Sequence, residues 1–549
     1  MPTLERLCEE LSPDRIQSDF RLWLTSEPSK HFPAYILQNG VKMTMEPPKG
    51  MRANLIGSYT SMIDTAFLEG STRPREFRKL LFGLCFFHAL VRERRKFGPL
   101  GWNIKYVFSG SDLRISMDQL RIFCADLDDE DIPYAALRYL TGECNYGGRV
   151  TDDKDRRCLA NMLTDFYSEV IQNEDYRFSP SGVYYAPRDG SLESYMDYIQ
   201  TLPYTEGPEL FGLHDNANIS CALDETNLLL STVLSLQPRS TGGAGASWDE
   251  TLAEVSGDIE SRLPPQFDLE RAIIDFPVRY EESMNTVLTQ ELLRFNKLTS
   301  LIKRRLKEVQ RAIKGIVVMS GDLEAMGNSM VQGQVPTIWS KAAYPSRKPL
   351  GSWVADLLQR LDFLRSWNDA KAAPAVFWIS GFYFTQAFIT GTLQNFARKY
   401  QIPIDTVAFD YAILTPGQEK AAYAHKPQDG SICRGLFLEG ARWNIEDHVL
   451  TESRPRELHT TVPLFHLLPK SKPDIEPVIG RPELYTGEIA GTAHVYMCPV
   501  YKESTRQGTL STTGHSTNFV MFIRMPMAKH HDQKHWIKRG VAMLTQLDV

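Results

Sequence analysis

Residues 288–313 read LTQELLRFNKLTSLIKRRLKEVQRAI and carry the strongest periodic signal in the chain. Apolar side chains recur there at intervals of three and four residues, and this spacing places them on one face of an α-helix. The sequence therefore predicts one long amphipathic helix from Glu282 to about Val318. The apolar face consists of Leu288, Leu292, Phe295, Leu298, Ile302, Leu306, Val309, Ile313 and Ile316.

The opposite face of this helix is basic and consists of Arg294, Lys297, Lys303, Arg304, Lys307, Arg311 and Lys314. These cations form either a solvated helix surface or a binding site for an acidic partner. In the second case the protein would be a free-standing adaptor. The sequence has 61 basic and 67 acidic residues and a net charge of −6. Because proteins dedicated to nucleic acid or anionic membranes are usually basic, this balance favours the solvated surface and argues against both of those partners.

Length and composition predict a folded protein of about three to four domains. The chain has 549 residues, of which 42% are hydrophobic and 23% charged, a composition that excludes a disordered protein. Its longest apolar run, residues 80–91, is shorter than the roughly 20 residues of a membrane span, and the N-terminus lacks the pattern of a secretory signal. The eight cysteines are scattered without any C-x-x-C, so we expect reduced, mostly buried thiols in the cytosol.

The first fifty residues have an α/β pattern, with predicted strands at 20–26 and 41–45 and a helix at 32–39 between them. Two strands alone do not make a stable sheet, so we expect them to belong to a larger sheet and to have exposed edges here. From residue 51 to about residue 199 the pattern is helical. The predicted helices there are Met51–Leu68, Pro74–Lys96, Ser109–Asp126, Ile132–Thr141 and Asp153–Ile171.

The patterning of the last part of the sequence shifts from helical to strand-like. A glycine-rich loop is predicted at 240–247, and a helix at 353–367 follows the long one. Past Pro374 the sequence predicts a strand at 376–380 and a helix at 385–400. Side chains then alternate with a period of two residues in the segments 407–413, 493–497 and 519–523. This alternation indicates an antiparallel sheet or a small β-barrel, and the fold class is therefore α+β multidomain.

The sequence offers no recognisable catalytic motif. It contains no Gly-Lys dipeptide, and therefore no phosphate-binding loop of the type G-x-x-x-x-G-K-[ST]. It also lacks the motifs G-x-S-x-G and H-E-x-x-H. The acidic residues Asp126 and 128–131 lack the full ligand set of a calcium loop, so we expect a solvated helix end there. We expect no catalytic residue, no cofactor-binding residue and no cofactor.

His530, His531 and His535 lie close together, and His531 and His535 have the i,i+4 spacing of one helix face. Zinc requires three or four convergent ligands. No carboxylate or cysteine nearby in the sequence completes this set, and Asp532 would face elsewhere on a helix. We therefore expect an exposed loop that holds no metal.

Several longer stretches are specific enough to carry a family resemblance. They are residues 20–26 (FRLWLTS), 36–44 (ILQNGVKMT), 79–83 (KLLFG), 97–103 (FGPLGWN), 142–152 (GECNYGGRVTD), 211–218 (FGLHDNAN), 376–381 (VFWISG) and 394–400 (QNFARKY). Over essentially its whole length the sequence resembles the C-terminal end of an axonemal dynein heavy chain.

The resemblance implies a layout of four parts. Residues 1–50 would be the end of the large α/β subdomain of the sixth AAA+ module, in which Thr25 and Ser26 end the strand that carries the sensor position. Residues 51–205 would be the helical lid of that module. Residues 206–374 and 375–549 would be the helical and the β-barrel parts of the dynein C-terminal domain.

The resemblance also implies a function. The segment would be a non-catalytic part that closes and braces the AAA+ ring of a minus-end-directed microtubule motor for ciliary and flagellar movement. The resembled full-length protein is an ATPase, although its sixth module does not hydrolyse ATP. The implied partners are the other AAA+ modules and, in the assembled complex, intermediate and light chains, with microtubules contacted only through the intact motor. The implied location is the cytoplasm, the cytoskeleton and the axoneme of the cilium.

Overall fold

The computed structural model describes residues 2–548 except 12–13, 15, 27–28, 30–31, 44–47, 126–130, 237–246, 473–494, 509–515 and 529. The protein divides into two compact units, Met1–Lys49 and Gly50–Val549. The predicted Gly-rich loop lies outside the described residues except for Ser247, and so does most of the acidic cluster around residue 128.

The first unit contains two short helices, α1 (Pro2–Glu10) and α2 (Ala34–Asn39). Helix α2 confirms the helix predicted at 32–39. The strand predicted at 20–26 is wrong, because these residues are exposed and belong to no strand. Of the strand predicted at 41–45, residues 41–43 are also outside any strand, and the rest lies outside the described part. A segment with strand-like alternation forms a strand only when a neighbour supplies its backbone hydrogen bonds, and none of the described residues pairs with either segment.

The second unit begins with helices. Those before residue 205 are α3 (Met51–Met62), α4 (Thr65–Glu69), α5 (Pro74–Glu93), α6 (Gly110–Ala125), α7 (Tyr134–Tyr139), α8 (Asp153–Leu163) and α9 (Leu192–Thr201). Those after it are α10 (Asn216–Leu236), α11 (Trp248–Arg262), α12 (Leu269–Asp275), α13 (Ser283–Ile313), α14 (Gly321–Val331), α15 (Thr337–Ser340), α16 (Leu350–Ala370), α17 (Thr385–Lys399), α18 (Pro416–Ala424) and α19 (Gln533–Lys538).

Local capping explains where the predicted helices begin and break. The helix predicted at 51–68 is divided into α3 and α4, because the side chain of Asp64 accepts a hydrogen bond from the N–H of Phe67 at 2.7 Å and starts a new helix. Asp152 caps α8 in the same way by accepting from the N–H groups of Lys154 and Asp155.

The long helix predicted from the apolar stripe is present as α13. The stripe from Leu288 to Val309 is buried, whereas Ile316 lies beyond the helix and is exposed. Helices α11, α14, α16 and α17 pack around α13. Because these neighbours cover its apolar face, α13 is the central helix of the region after residue 205.

The strands described in the second unit all follow residue 375. They are β1 (Val376–Trp378), β2 (Val407–Ile413), β3 (Ser431–Arg434), β4 (Phe437–Glu439), β5 (Arg442–Asn444), β6 (Val449–Thr451), β7 (His459–Thr461), β8 (Phe465–Ser471), β9 (Val495–Tyr501), β10 (Phe519–Pro526) and β11 (Ala542–Leu544). They form three sheets, in the orders β1-β3-β8-β2, β10-β9-β11-β4-β7 and β5-β6.

The described strands do not form the small antiparallel barrel that the sequence indicates. β1 pairs with β3 in parallel, and β11 pairs in parallel with β9 but antiparallel with β4. The two larger sheets are therefore mixed. Among the described strands, the first ends at β1 and β2 and the second at β10 and β7, so neither order closes on itself. Period-two alternation predicts a strand with one buried face, but it does not fix which strand is the neighbour.

Candidate functional site: a junction between the early helices and the last strands

Arg94 lies at the centre of a junction between the helices before residue 205 and the C-terminal end of the protein. The residue directly follows α5, and its side chain is fully buried. The guanidinium donates hydrogen bonds to the carbonyls of Gly101 at 2.9 Å, Lys538 at 2.7 Å and Leu100 at 3.3 Å, and also to that of Phe211. The backbone carbonyls of distant segments thus solvate one buried cation. This arrangement fixes α19 against the early helices.

Gly540 brings the backbone of the C-terminal segment directly onto the early helices. Its φ is +66°, and a Cβ atom at this position would lie 2.4 Å from the carbonyl oxygen of Leu100. Only glycine combines this left-handed conformation with so close an approach of two backbones. The two backbones are therefore in close van der Waals contact at Gly540, next to the hydrogen bonds of Arg94.

Asn103 forms a second link across the same junction. Its Nδ2 donates to Oη of Tyr501, in β9, at 2.9 Å and to Oδ1 of Asp152 at 3.2 Å. The N–H groups of Asn103 and Ile104 donate to the carboxylate of Asp155 at 2.9 and 3.1 Å. This network joins the start of α8 to the central sheet of the C-terminal region.

Asp155 is buried in this network, and its environment changes its protonation. Burial raises the pKa of its carboxyl group, and the nearby charge of Asp152 raises it further. The hydrogen bonds from Asn103 and Ile104 only partly offset these effects, so that the pKa is about 7. The junction therefore contains a carboxyl group that changes its charge near neutral pH.

The space left inside this junction is small. A cavity of about 30 Å³ lies among Arg94, Asp155, Arg157, Tyr501 and Arg506. That volume holds one or two water molecules and is far too small for a nucleotide. The arrangement can transmit force between packed elements, and we find no space in it for substrate chemistry.

Helix α10 is exposed over much of its length. From Ala222 to Val233, α10 is exposed on all sides. Its apolar residues Leu228, Leu229 and Leu230 are 69%, 63% and 55% exposed. Further exposed apolar side chains on this unit are Ile274, Val278, Tyr280, Ile316 and Val318. Exposed apolar side chains such as those of Leu228, Leu229 and Leu230 are typical of a protein–protein contact.

The predicted basic face of α13 is only partly free. Lys297, Arg304, Lys307, Arg311 and Lys314 are exposed. Lys303 instead donates to the carbonyl of Pro264 at 2.6 Å. Arg294 lies 4.8 Å from the ring centre of Phe384, in a cation–π contact. Part of the basic face is thus exposed to solvent, and the rest contacts neighbouring segments that pack on α13.

The structure contradicts the argument against a metal ligand set at the histidines. Glu452, which directly follows β6, lies 2.5 Å from Nε2 of His535, measured from its Oε1. His535 lies within α19 and His531 just before it, and both are partly buried rather than in an exposed loop. Asp532 caps α19 by accepting from the N–H of His535. The sequence did not reveal Glu452, because it stands 79 positions before His531 and only the fold brings the two together.

The remaining predicted features are placed as follows. All eight cysteines are free, and five of them are buried: Cys85, Cys124, Cys158, Cys433 and Cys498. Thr25 and Ser26 are exposed and lie outside any strand. Among the described helices, none has the length and apolar content needed to cross a bilayer.

Three family profiles match successive parts of the sequence. The profile of the P-loop domain of dynein heavy chain region D6 matches residues 1–44, and that of the AAA lid domain of dynein heavy chains matches residues 77–217. The profile of the C-terminal domain of dynein heavy chains matches residues 223–545, which is more than half of the protein. Arg94, Asn103 and Asp155 fall in the lid match, and their partners Tyr501 and Lys538 fall in the C-terminal match.

Curated relatives align with the whole sequence. It is 52% identical to human dynein axonemal heavy chain 3, over 100% of this chain and 13% of the relative. It is 50% identical to mouse dynein axonemal heavy chain 12, over 100% of this chain and 17% of the relative. It is also 50% identical to rat dynein axonemal heavy chain 1, over 100% of this chain and 12% of the relative. The sequence thus spans less than a fifth of the length of these relatives.

Proposed function

The chain belongs to the dynein heavy chain family, and we propose that it acts as the non-catalytic C-terminal part of a microtubule motor of cilia and flagella. In this role it closes and braces the ring of AAA+ modules. ATP-driven, minus-end-directed movement on microtubules is the work of modules outside this segment. We expect the segment itself to contribute no catalytic or nucleotide-binding residue.

The observation that carries this proposal is the buried contact of Arg94 with the carbonyl of Lys538. The regions covered by the lid match and by the C-terminal match contact each other there. The contacts are the hydrogen bonds of Arg94, the close backbone approach at Gly540 and the side-chain network of Asn103. A brace must transmit load without yielding, and buried hydrogen bonds to a charged group resist separation because breaking them leaves that charge uncompensated.

The proposed parts of the protein follow the implied layout. Residues 1–50 are the end of the large subdomain of the sixth AAA+ module, and residues 51–205 are its lid. Residues 206–374 and 375–549 are the helical and the strand-rich parts of the C-terminal domain. The lid match ends at residue 217 and the C-terminal match begins at residue 223. These limits favour a boundary near the start of α10, somewhat later than residue 205.

We propose that the exposed half of α10 docks on other AAA+ modules of the same heavy chain. The relatives are several times longer than this segment, so most of the heavy chain is available to cover Leu228, Leu229 and Leu230. In the assembled complex, intermediate and light chains are further proposed partners, and microtubules are contacted only through the intact motor. The proposed location is the cytoplasm, the cytoskeleton and the axoneme.

The docking proposal is tested in a heavy chain that includes this segment. The double substitution Leu229→Asp and Leu230→Asp places two charges in the contact, so we expect slower microtubule gliding and faster proteolysis within α10. Ile115→Asp is the matched control, because Ile115 is also apolar and half exposed, on α6. Gliding and proteolysis equal to the wild type in the double variant would overturn the docking.

The non-catalytic role is tested on the purified 549-residue protein. We expect no saturable binding of ATP at millimolar concentration and no phosphate release above that of buffer. Stoichiometric ATP binding in the micromolar range would contradict the proposal. The alternative of a free-standing adaptor that binds through the basic face of α13 receives no support from these relatives, all of which are dynein heavy chains.

A further inference from the structure

Glu452, His531 and His535 form a compact set of metal-ligating side chains that includes none of the junction residues discussed above. One donor atom from each of the three lies within 4.8 Å of the others. The rings of His531 and His535 are stacked, with centroids 4.2 Å apart and planes inclined by 19°. Trp536 is fully buried and lies against both rings, at 5.1 and 4.8 Å. The indole ring of Trp536 therefore covers one side of the set.

The donors match the preferences of zinc. Two imidazole nitrogens and one carboxylate form a three-ligand set that leaves a fourth position for water. With zinc–nitrogen and zinc–oxygen bonds of about 2.0–2.2 Å, the ligand atoms of a tetrahedral site lie roughly 3.4 Å apart. Oε1 of Glu452 and Nε2 of His535 are 2.5 Å apart and would move apart, and the donor atom of His531 would take up a similar distance from both. Small side-chain rotations are sufficient, because all three side chains are only partly buried.

Glu452 also has an unused acceptor. Its Oε1 accepts from His535 and from Arg539, whose Nη2 lies 3.1 Å away. Its Oε2 is buried and has no hydrogen-bond partner among the described residues. A buried carboxylate oxygen without a partner is costly. A bound cation at this position would remove that cost.

We propose that Glu452, His531 and His535 bind one zinc ion, which fastens the end of β6 to the start of α19. The ligands come from two segments that are far apart in the sequence, so the ion would close a loop of 79 residues between Glu452 and His531. Because α19 carries Lys538, whose carbonyl accepts from Arg94, the ion would also stiffen the junction. This inference does not depend on the proposed motor function.

The test is a calorimetric titration of the metal-stripped protein with zinc chloride. We expect one strong site per molecule and a higher melting temperature when it is filled. His531→Ala is the decisive variant, because it leaves the contact between His535 and Glu452 in place, and zinc affinity should fall by at least about ten-fold. His530→Ala is the matched control, since His530 is an exposed neighbour outside the ligand set, and its affinity should equal that of the wild type.

A second measurement covers the case in which a variant is poorly folded. Cobalt(II) added to the wild-type protein should give visible absorption of a low-coordinate site, and equimolar zinc should abolish it. Wild-type protein that binds neither ion, or a folded His531→Ala variant with wild-type affinity, would overturn the proposal. Loss of binding in His530→Ala would overturn the assigned ligand set.

Discussion

Nζ of Lys538 lies 2.5 Å from Oδ2 of Asp165, although 373 positions separate the two residues in the sequence. The backbone of Lys538 accepts from Arg94, so one residue of α19 contacts the early helices through both its side chain and its carbonyl. The ion pair is partly exposed and contributes little to stability by itself. Together with the buried contacts around it, it indicates that the early helices and the C-terminal region unfold as one body.

Replacing Arg94 should weaken the junction strongly. Arg94→Met keeps an unbranched apolar stem but removes the guanidinium and leaves several buried carbonyls without a donor, and we expect a loss of about 3 kcal/mol in the free energy of unfolding. This loss is measured by urea denaturation, with tryptophan fluorescence as the signal. Arg95→Met is the matched control, because Arg95 is exposed, and its change should stay within about 0.5 kcal/mol. Equal effects of the two substitutions would contradict a buried role for Arg94.

A methyl group at Gly540 should separate the two backbones that meet there. Gly540→Ala adds a clash with the carbonyl of Leu100 to the strain of a positive φ, and we expect a loss of more than about 2 kcal/mol. Gly333 has a φ of +70° but nothing within 4 Å of an added Cβ. Gly333→Ala therefore measures the backbone strain alone. If thermal melts show the same loss for both variants, the close approach at Leu100 has no energetic importance.

The pKa of Asp155 predicts that stability depends on pH. The folded state holds a proton on Asp155 up to about pH 7, whereas the unfolded state releases it near pH 4. The contribution of this group is therefore complete only below about pH 4. It falls as pH rises from about 4 to about 7, by at most about 4 kcal/mol in total, and is constant above that range.

This dependence is measured by denaturation at pH 5, 6, 7 and 8. Asp155→Asn should flatten the fall in stability with rising pH, since it removes the ionisable group. Asp118→Asn, at an exposed aspartate of α6, should retain the slope of the wild type. If the free energy of unfolding of Asp155→Asn falls with pH as steeply as that of the wild type, another group is responsible for the pH dependence.

The apolar stripe of α13 predicts a graded response to truncation. Leu306 is fully buried, so Leu306→Ala should cost about 3 kcal/mol through lost burial and a residual cavity. Lys307→Ala changes the adjacent exposed residue and should leave stability within about 0.5 kcal/mol of the wild type. Urea midpoints of the two variants test this, and similar midpoints would mean that α13 is not the central helix.

The sequence was informative where structure depends on neighbours along the backbone. The three-and-four spacing from Leu288 to Val309 predicted α13, and the alternation at 407–413 predicted β2 with the observed bounds. It failed where structure depends on distant partners. Residues 20–26 alternate like a strand but find no pairing neighbour among the described residues, and the order of β9, β11 and β4 in their sheet follows no local signal.

In the candidate sites, too, only the features that depend on local sequence could be predicted. His531 and His535 are visible as a spacing, but Glu452 reaches them only through the fold. Arg94 carries no sequence signal that distinguishes it from the exposed Arg95 beside it. Its burial follows from the position of α19, which is set by contacts more than 400 positions away.

The central claim is that the early helices and the C-terminal region form one rigid body, and hydrogen exchange measures this most directly. In the 549-residue protein, the amides of α8 and of α19 should lose protection at the same urea concentration and with the same opening free energy. Loss of protection in α19 at clearly lower urea, with α8 still protected, would contradict the claim.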